Sequence, residues 1–313
     1  MLSYIVRRVL ATIPVMGIVA ITVFSLLYLA PGDPAAIIAG DQATTQQIAQ
    51  IRASLGLNQP YLVRFGHWLW RVLHFNLGTS VFTGQPVAHM IAQHIEPTLS
   101  LMILTMLIAI TVAIPLGVIA AWKHGTWIDT AIMIFAVLGF SIPVFVIAYL
   151  LAYVFGLGLR WLPVQGFVPL SQGFWPFLQC LILPSVALGA IYVALLARIT
   201  RAAMLDVLAQ DYVRTARAKG VSQRGVLFVH ALKNAANPVV TVAGLGVALL
   251  IGGTVVTETV FAIPGLGTLT VNAILERDYP VIQGVVLLFS FAYVIVNLIV
   301  DLLYSVFDPR IRL

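Results

Sequence analysis

Charge is what this chain of 313 residues has least of. Asp, Glu, Lys and Arg together make up 9% of it, against ~25% in a soluble globular domain. With 61% hydrophobic residues and a mean hydropathy of +1.02, a water-soluble fold is excluded and a polytopic membrane protein is indicated. Cysteine is nearly absent. Cys180 stands alone, so no internal disulfide and no thiolate metal cluster can form. The chain contains no Gly-Lys dipeptide, which rules out a P-loop and with it ATP hydrolysis of that kind. His-Glu-x-x-His and Gly-x-Ser-x-Gly are missing too, and no cofactor-binding, metal or catalytic constellation emerges. His94 and Glu96 are close in sequence but have no third partner.

What is present is long apolar runs. A membrane-spanning helix needs about 20 mostly apolar residues. Six stretches qualify: Val9–Leu29, Thr98–Ala121, a stretch within Thr130–Leu159, about Pro176–Ala197, about Ala235–Thr257, and Val281–Val300. None holds Asp, Glu, Lys or Arg. The first has the Arg7-Arg8 flank of a secretion signal, yet its apolar core is too long, and it reads as an uncleaved anchor. Prolines at 14, 115, 143 and 184 fall in these runs, where each removes a backbone donor and can kink its helix.

The formal charge of +6 is a matter of topology and not of nucleic-acid binding. Six spans put both termini on one side. That side carries twelve of the seventeen Lys and Arg, seven of them between Arg198 and Lys233. Basic loops stay in the cytoplasm, so the termini and the 198–235 segment are expected inside and the 31–96 loop outside. In that outer loop Thr44 and Gln47 fit a capping box, with Ile48, Ile51 and Leu55 on one face and Gly56 ending the helix. A second amphipathic run, Tyr61–Leu73, carries Trp68 and Trp70. These two helices either cover the span ends or dock an external partner.

Three features carry the functional reading. The inner basic segment is expected to form two helices, the first ended by Gly220 in the left-handed conformation. Ser222 would cap the second, with Val221 and Val226 as its staple. It either rests on anionic lipid or grips a partner. Gly244, Ala248 and Gly252 lie four apart, a smooth stripe for close helix approach, within the chain or between subunits. Glu258 ends the fifth span and either holds structure or lines a pathway. Ile263-Pro264-Gly265-Leu266 after it fits a type II turn that marks the span's exit.

The wording Asp211-Tyr-Val-Arg-Thr-Ala-Arg-Ala-Lys-Gly220 resembles the integral-membrane subunits of ABC importers, in particular the first permease of the dipeptide, oligopeptide and nickel branch. The signature of those subunits is Glu-Ala-Ala, three residues, Gly, nine residues, Ile-x-Leu-Pro. Here Ala216, Gly220 and Leu232 match, while Arg214 and Lys233 replace the acid and the proline. Met1–Arg8, Pro31-Gly-Asp-Pro34, Leu55–Pro60, Asn76–Ser80, Glu258–Phe261, Pro264–Gly267 and Asp308–Arg312 are similar to that branch as well, so the resemblance covers essentially the whole chain. It implies one all-α domain over 1–313 with six transmembrane helices and a type I ABC importer permease fold. It also implies residence in a bacterial inner membrane and no enzymatic activity of its own. Arg214, Thr215, Ala216, Arg217, Gly220 and Leu232 would form the loop that couples to ATPases. The expected partners are a second permease, two cytoplasmic ATPase subunits, an extracytoplasmic binding protein and the lipid bilayer. The implied substrate is a di- or oligopeptide, with nickel chelates, glutathione or another small solute as the alternative. A self-sufficient secondary transporter or channel is the rival class. It would need midplane coupling groups, and no midplane carboxylate or internal repeat is present.

Overall fold

A computed structural model describes residues 2–29, 35–36, 43–54 and 56–307. The Pro31-Gly-Asp-Pro34 and Asp308–Arg312 segments lie outside the described residues, as do Leu55 and the side chain of Ile51. Every regular element among the described residues is helical: α1 Leu2–Leu29, α2 Thr45–Ser54, α3 Tyr61–Leu73, α4 Val87–Trp122, α5 Trp127–Ser141, α6 Val144–Leu151 with a π-helical extension Ala152–Gly158, and α7 Phe174–Leu208. Then follow α8 Asp211–Ala218 and α9, which runs through Gln223–Gly225, π-helical Val226–Ala231 and Leu232–Asn234. The last three are α10 Ala236–Val260, α11 Leu266–Glu276 and α12 Tyr279–Phe307.

Five of these, α1, α4, α7, α10 and α12, are long and apolar enough to cross a membrane. The third expected span is a bent pair: α5 and α6 with its extension turn by 102° at the break between them. Pro143 is the cause. It has no N–H to continue the helix, and it drives the preceding Ile142 to φ −86°, ψ 126°, an extended conformation. Pro14, Pro115 and Pro184 stay inside unbroken helices.

The chain forms two compact units. One comprises Glu96–Thr268 and the chain from Ile295 onward. Its centre is α7, the span among the described residues that is buried over most of its length. Small residues allow this. A Cβ on Gly117 would stand 2.5 Å from Thr200 Cβ and 2.7 Å from the Ala197 carbonyl oxygen, and one on Gly139 3.2 Å from the Ala190 oxygen. Helices in lipid gain little from apolar transfer and pack by close approach instead. Leu181, Leu188, Leu196 and Leu250 fill the space that remains.

The other unit comprises Leu2–Ile95 and Leu269–Val294. Thr44 and Gln47 form the expected reciprocal capping box at α2: the Thr44 N–H donates to Gln47 Oε1 (2.8 Å) and the Gln47 N–H to Thr44 Oγ1 (3.3 Å). Gly56 closes that helix at φ +65°. Trp68 of α3 is buried against Phe24 of α1, with ring centroids 5.3 Å apart, and Tyr61 and Phe65 meet the same ring edge-on. Trp70 points away and is exposed. The two tryptophans therefore differ: one is core, the other is free to sit at an interface.

Candidate functional site

The basic segment folds as a cornered pair of helices. α8 ends in a Schellman motif. The Val221 N–H donates to the Ala216 carbonyl (3.1 Å) and the Gly220 N–H to that of Arg217 (3.0 Å), with Gly220 at φ +81°. This geometry needs a residue without a Cβ penalty at that position. A Cβ there would meet nothing within 4 Å, so conformation and not space selects glycine. Ser222 caps the next helix, its Oγ accepting from the Gly225 N–H at 3.3 Å. Val226, four residues on, is fully buried, the staple position.

The corner is anchored from below. Leu227 and Ala231 of α9 join Val118 and Ala121 of α4 and Ala203 and Met204 of α7 in one apolar cluster, with Leu232 packed against it. Val213 of α8 is fully buried. Asn234 donates to Tyr212 Oη at 3.0 Å and ties α9 back to α8. The outward side keeps Arg214, Thr215, Arg217 and Lys219 exposed and Ala216 half-buried. Arg214 makes a 3.4 Å surface pair with Asp211, worth little energetically. α7 continues to Leu208, so Arg198 and Arg201, counted with this loop in the sequence, are helical.

At the other end of α10, Glu258 is completely buried. Its Oε1 accepts from Thr98 Oγ1 (2.7 Å) and its Oε2 from the Thr268 N–H (2.9 Å), while Thr98 Oγ1 accepts from the Leu266 N–H (2.8 Å). Together they satisfy the free amides at the start of α11. The expected type II turn does not form after Glu258. Gly265 has no positive φ, and its N–H donates to the Ile263 carbonyl (2.8 Å) across Pro264, a three-residue turn. Glycine is needed at 265 for space. A Cβ would stand 2.4 Å from Glu258 Cδ and 2.5 Å from Thr98 Oγ1. The left-handed residue is Ala262, at φ 49°, in a Schellman closure where the Ile263 N–H reaches the Glu258 carbonyl at 2.9 Å.

Residues 113–313 match the family described as binding-protein-dependent transport system inner membrane component, and residues 1–102 its N-terminal region. The chain belongs to that family. The permease is 54% identical over 309 residues, 99% of each chain, to the probable peptide ABC transporter permease protein y4tP of Sinorhizobium fredii. It is 48% identical to a putative peptide transport system permease protein of Brucella abortus, over 100% of this chain and 99% of that one. It is 46% identical, with the same coverage, to the glutathione transport system permease protein GsiC of Salmonella choleraesuis. Its fold is similar to a chain of the MetNI methionine ABC transporter in inward facing conformations, at TM-score 0.58 and 16% identity, covering 70% of this permease and 96% of that chain. The protein is thus a transport subunit with the all-α, type I importer permease architecture.

The small-residue stripe of the permease divides. Gly244 is a true close approach: a Cβ would stand 2.1 Å from Val300 Cγ2 of α12. Ala248 is buried, whereas Gly252 is exposed and a Cβ there would meet nothing. We therefore expect Gly244→Leu to lower the melting temperature of the detergent-solubilised protein by several degrees and Gly252→Leu to leave it unchanged. Equal melting of the two variants in size-exclusion thermal scans would show that α12 does not press on this stripe. The sequence reading missed Gly246, whose Cβ would meet Met106 and Tyr192 at 3.1 and 3.2 Å. Gly244, two positions away, lies on a different face.

It also missed the polar lock between α5 and α7. Arg201 Nε and Nη2 donate to Asp129 Oδ1 and Oδ2 at 2.6 and 2.7 Å, and the Gly125 N–H adds a 3.1 Å bond. His124 stands 3.0 Å from the same carboxylate. Such a two-pronged pair is strong and directional. A signal was there: Asp129 is the one acidic residue between Glu96 and Asp206, and it opens a span that faces a helix with an arginine at its end.

Proposed function

We propose that this permease forms half of the pore of an ATP-driven, binding-protein-dependent importer of short peptides. A second permease would complete the pore. Two separate ATPase subunits would dock on the α8–α9 corner, and an external binding protein would deliver the substrate. The observation that supports the coupling role most is the construction of that corner. Its apolar side is locked onto the ends of α4 and α7, while Arg214, Thr215 and Arg217 face outward. A rigid, exposed helix pair seated on two spans can pass a push from a cytoplasmic motor into the membrane, the mechanical requirement of alternating access. Glu258, Pro264 and Gly265 position α11 beside the exit of α10 in this reading. A basic segment lying on lipid would not require so specific a closure at Gly220.

Peptide as substrate is supported by the relatives that carry peptide transport in their names. Glutathione, itself a tripeptide, is the second reading, supported by the relative at 46% identity. Mass spectrometry of the ligand retained by the cognate binding protein decides between them. A short peptide with free termini is the expected result, glutathione would select the second reading, and a nickel chelate would overturn both.

The proposed orientation puts both termini and the 198–235 segment in the cytoplasm. Gln46 and Gln223 are both exposed, and Cys180 is buried. In a Cys180-free background, cysteine at 46 is expected to react with an impermeant maleimide in intact cells. Cysteine at 223 should react only after the membrane is opened. The reverse labelling would invert the orientation.

A further inference from the structure

We propose that the unit formed by Leu2–Ile95 and Leu269–Val294 holds a phospholipid, its phosphate bound by Arg64 and Arg71 in the cavity beside α3. The inference does not rest on the import reading.

The cavity has a volume of about 750 Å³. Arg64, His67, Trp68 and Arg71 line it, spaced three, four and seven along one face of α3. Among the described residues its lining contains no Asp or Glu. Arg64 is the informative member. It is 8% exposed, and the side-chain hydrogen bond it makes among the described residues goes to Tyr28 Oη. Its guanidinium carbon lies 5.1 Å from the Tyr28 ring and 5.8 Å from that of Phe24. Neither Arg64 nor Arg71 belongs to an ion pair among the described residues.

A guanidinium has five donors in a fixed fork. Ring faces offset part of the cost of burying its charge but accept none of the in-plane N–H groups. A buried cation left without a counter-charge is unfavourable, and the second basic group, two helical turns further and more exposed, adds to the same field. Among the described residues the arrangement holds no anion with several acceptor oxygens, and a phosphate has the geometry to meet the guanidinium fork with two of them.

Position selects a lipid over a dissolved anion. Phe24 and Leu27, which also line the cavity, belong to the last turns of the span Arg7–Tyr28. The cavity therefore lies at the depth where headgroups sit. Trp70, which also lines the cavity, is 66% exposed, while Leu62 (77%) and Leu73 (65%) are exposed on the opposite side of α3. A large exposed aromatic ring beside a basic cavity at a membrane boundary suits the junction of headgroup and acyl chains. A free phosphate would leave it bare.

The test uses the full chain purified with its partner subunits in mild detergent. The protein is offered phosphatidylglycerol or the uncharged monogalactosyl diacylglycerol, and bound lipid is counted by native mass spectrometry. Wild type is expected to retain phosphatidylglycerol over the uncharged lipid. Arg64→Gln should weaken that retention about tenfold, the loss of one charge-assisted contact, with Arg64→Lys between the two. Arg71 is exposed, so Arg71→Gln is expected to melt like wild type and still to lose part of the retention; it carries the test should Arg64→Gln not fold. Equal retention of both lipids by wild type, or unchanged retention in Arg71→Gln and whichever Arg64 variant folds, would overturn the site. Inorganic phosphate alone raising the melting temperature as much as phosphatidylglycerol would overturn the lipid as its ligand.

Discussion

Replacing Gly220 with valine is expected to abolish most transport while leaving insertion, abundance and assembly close to normal. The left-handed backbone at this position costs about 1–2 kcal/mol for a residue with a Cβ, and more for a β-branched one. No neighbour lies within 4 Å of where the Cβ would be, so the substitution strains the corner without a clash. The strain is relieved by opening the Schellman closure, which swings α8 away from the line set by α9. Asparagine tolerates this conformation better than alanine or valine. The series Gly, Asn, Ala, Val should therefore descend in transport and in substrate-stimulated ATP hydrolysis together. Arg217→Glu supplies the contrast, since it alters charge on the exposed side and leaves the backbone alone. ATP hydrolysis by the reconstituted complex, with and without loaded binding protein, is the measurement. Full stimulation in Gly220→Val at normal assembly would remove the coupling role proposed for Arg214–Leu232. A larger loss from Arg217→Glu than from Gly220→Val, with stimulation indifferent to both, would favour a lipid-anchored loop.

Removing the Glu258 carboxylate is expected to cost the protein most of its thermal stability. Thr98 Oγ1 and the Thr268 N–H both donate to it in a fully buried site. Each donor stranded there costs about 1–3 kcal/mol. Glu258→Ala strands both and leaves a cavity, so it should give little folded protein after detergent extraction. Glu258→Gln keeps the shape and one acceptor and should be intermediate. Gly265→Ala reaches the same network from the other side, because its Cβ would stand 2.4 Å from the Glu258 side chain, and it should destabilise by a comparable amount. Thermal scans followed by size-exclusion chromatography read all three. Wild-type melting in Glu258→Ala would mean that α11 is held by something else. A variant of normal stability with impaired transport would move Glu258 from architecture to the pathway.

Much of this protein was legible in its sequence because membrane physics leaves few choices. A backbone in hydrocarbon must satisfy its own hydrogen bonds, so apolar length alone announces α1, α4, α7, α10 and α12, and scarcity of charge excludes the soluble classes. Local chemistry was equally legible. The Thr44–Gln47 box, Gly56 at φ +65°, Gly220 at φ +81° and the Ser222 cap all depend on residues within one or two turns of each other. The basic loop and its resemblance to importer permeases rested on the same kind of short-range pattern.

What failed involved partners distant in sequence. The type II turn at Pro264-Gly265 was the better local fit, yet Gly265 is there because Glu258 and Thr98, the latter on α4, occupy the space a side chain would need. The stripe on α10 looked uniform, yet only α12, through Val300, decides that Gly244 is crowded and Gly252 is not. Arg201 was counted as loop charge until Asp129, 72 residues earlier, was brought to 2.6 Å from it. Arg64 looked like one residue of an amphipathic helix until α1 placed two aromatic rings against it. Sequence by itself determined the apolar spans, the caps at Thr44, Gly56, Gly220 and Ser222 and the family, because those depend on apolar length and short-range hydrogen bonding. Only the tertiary structure decided which polar groups are buried and which glycines are crowded, because burial and steric room are set by whichever helix happens to pass alongside.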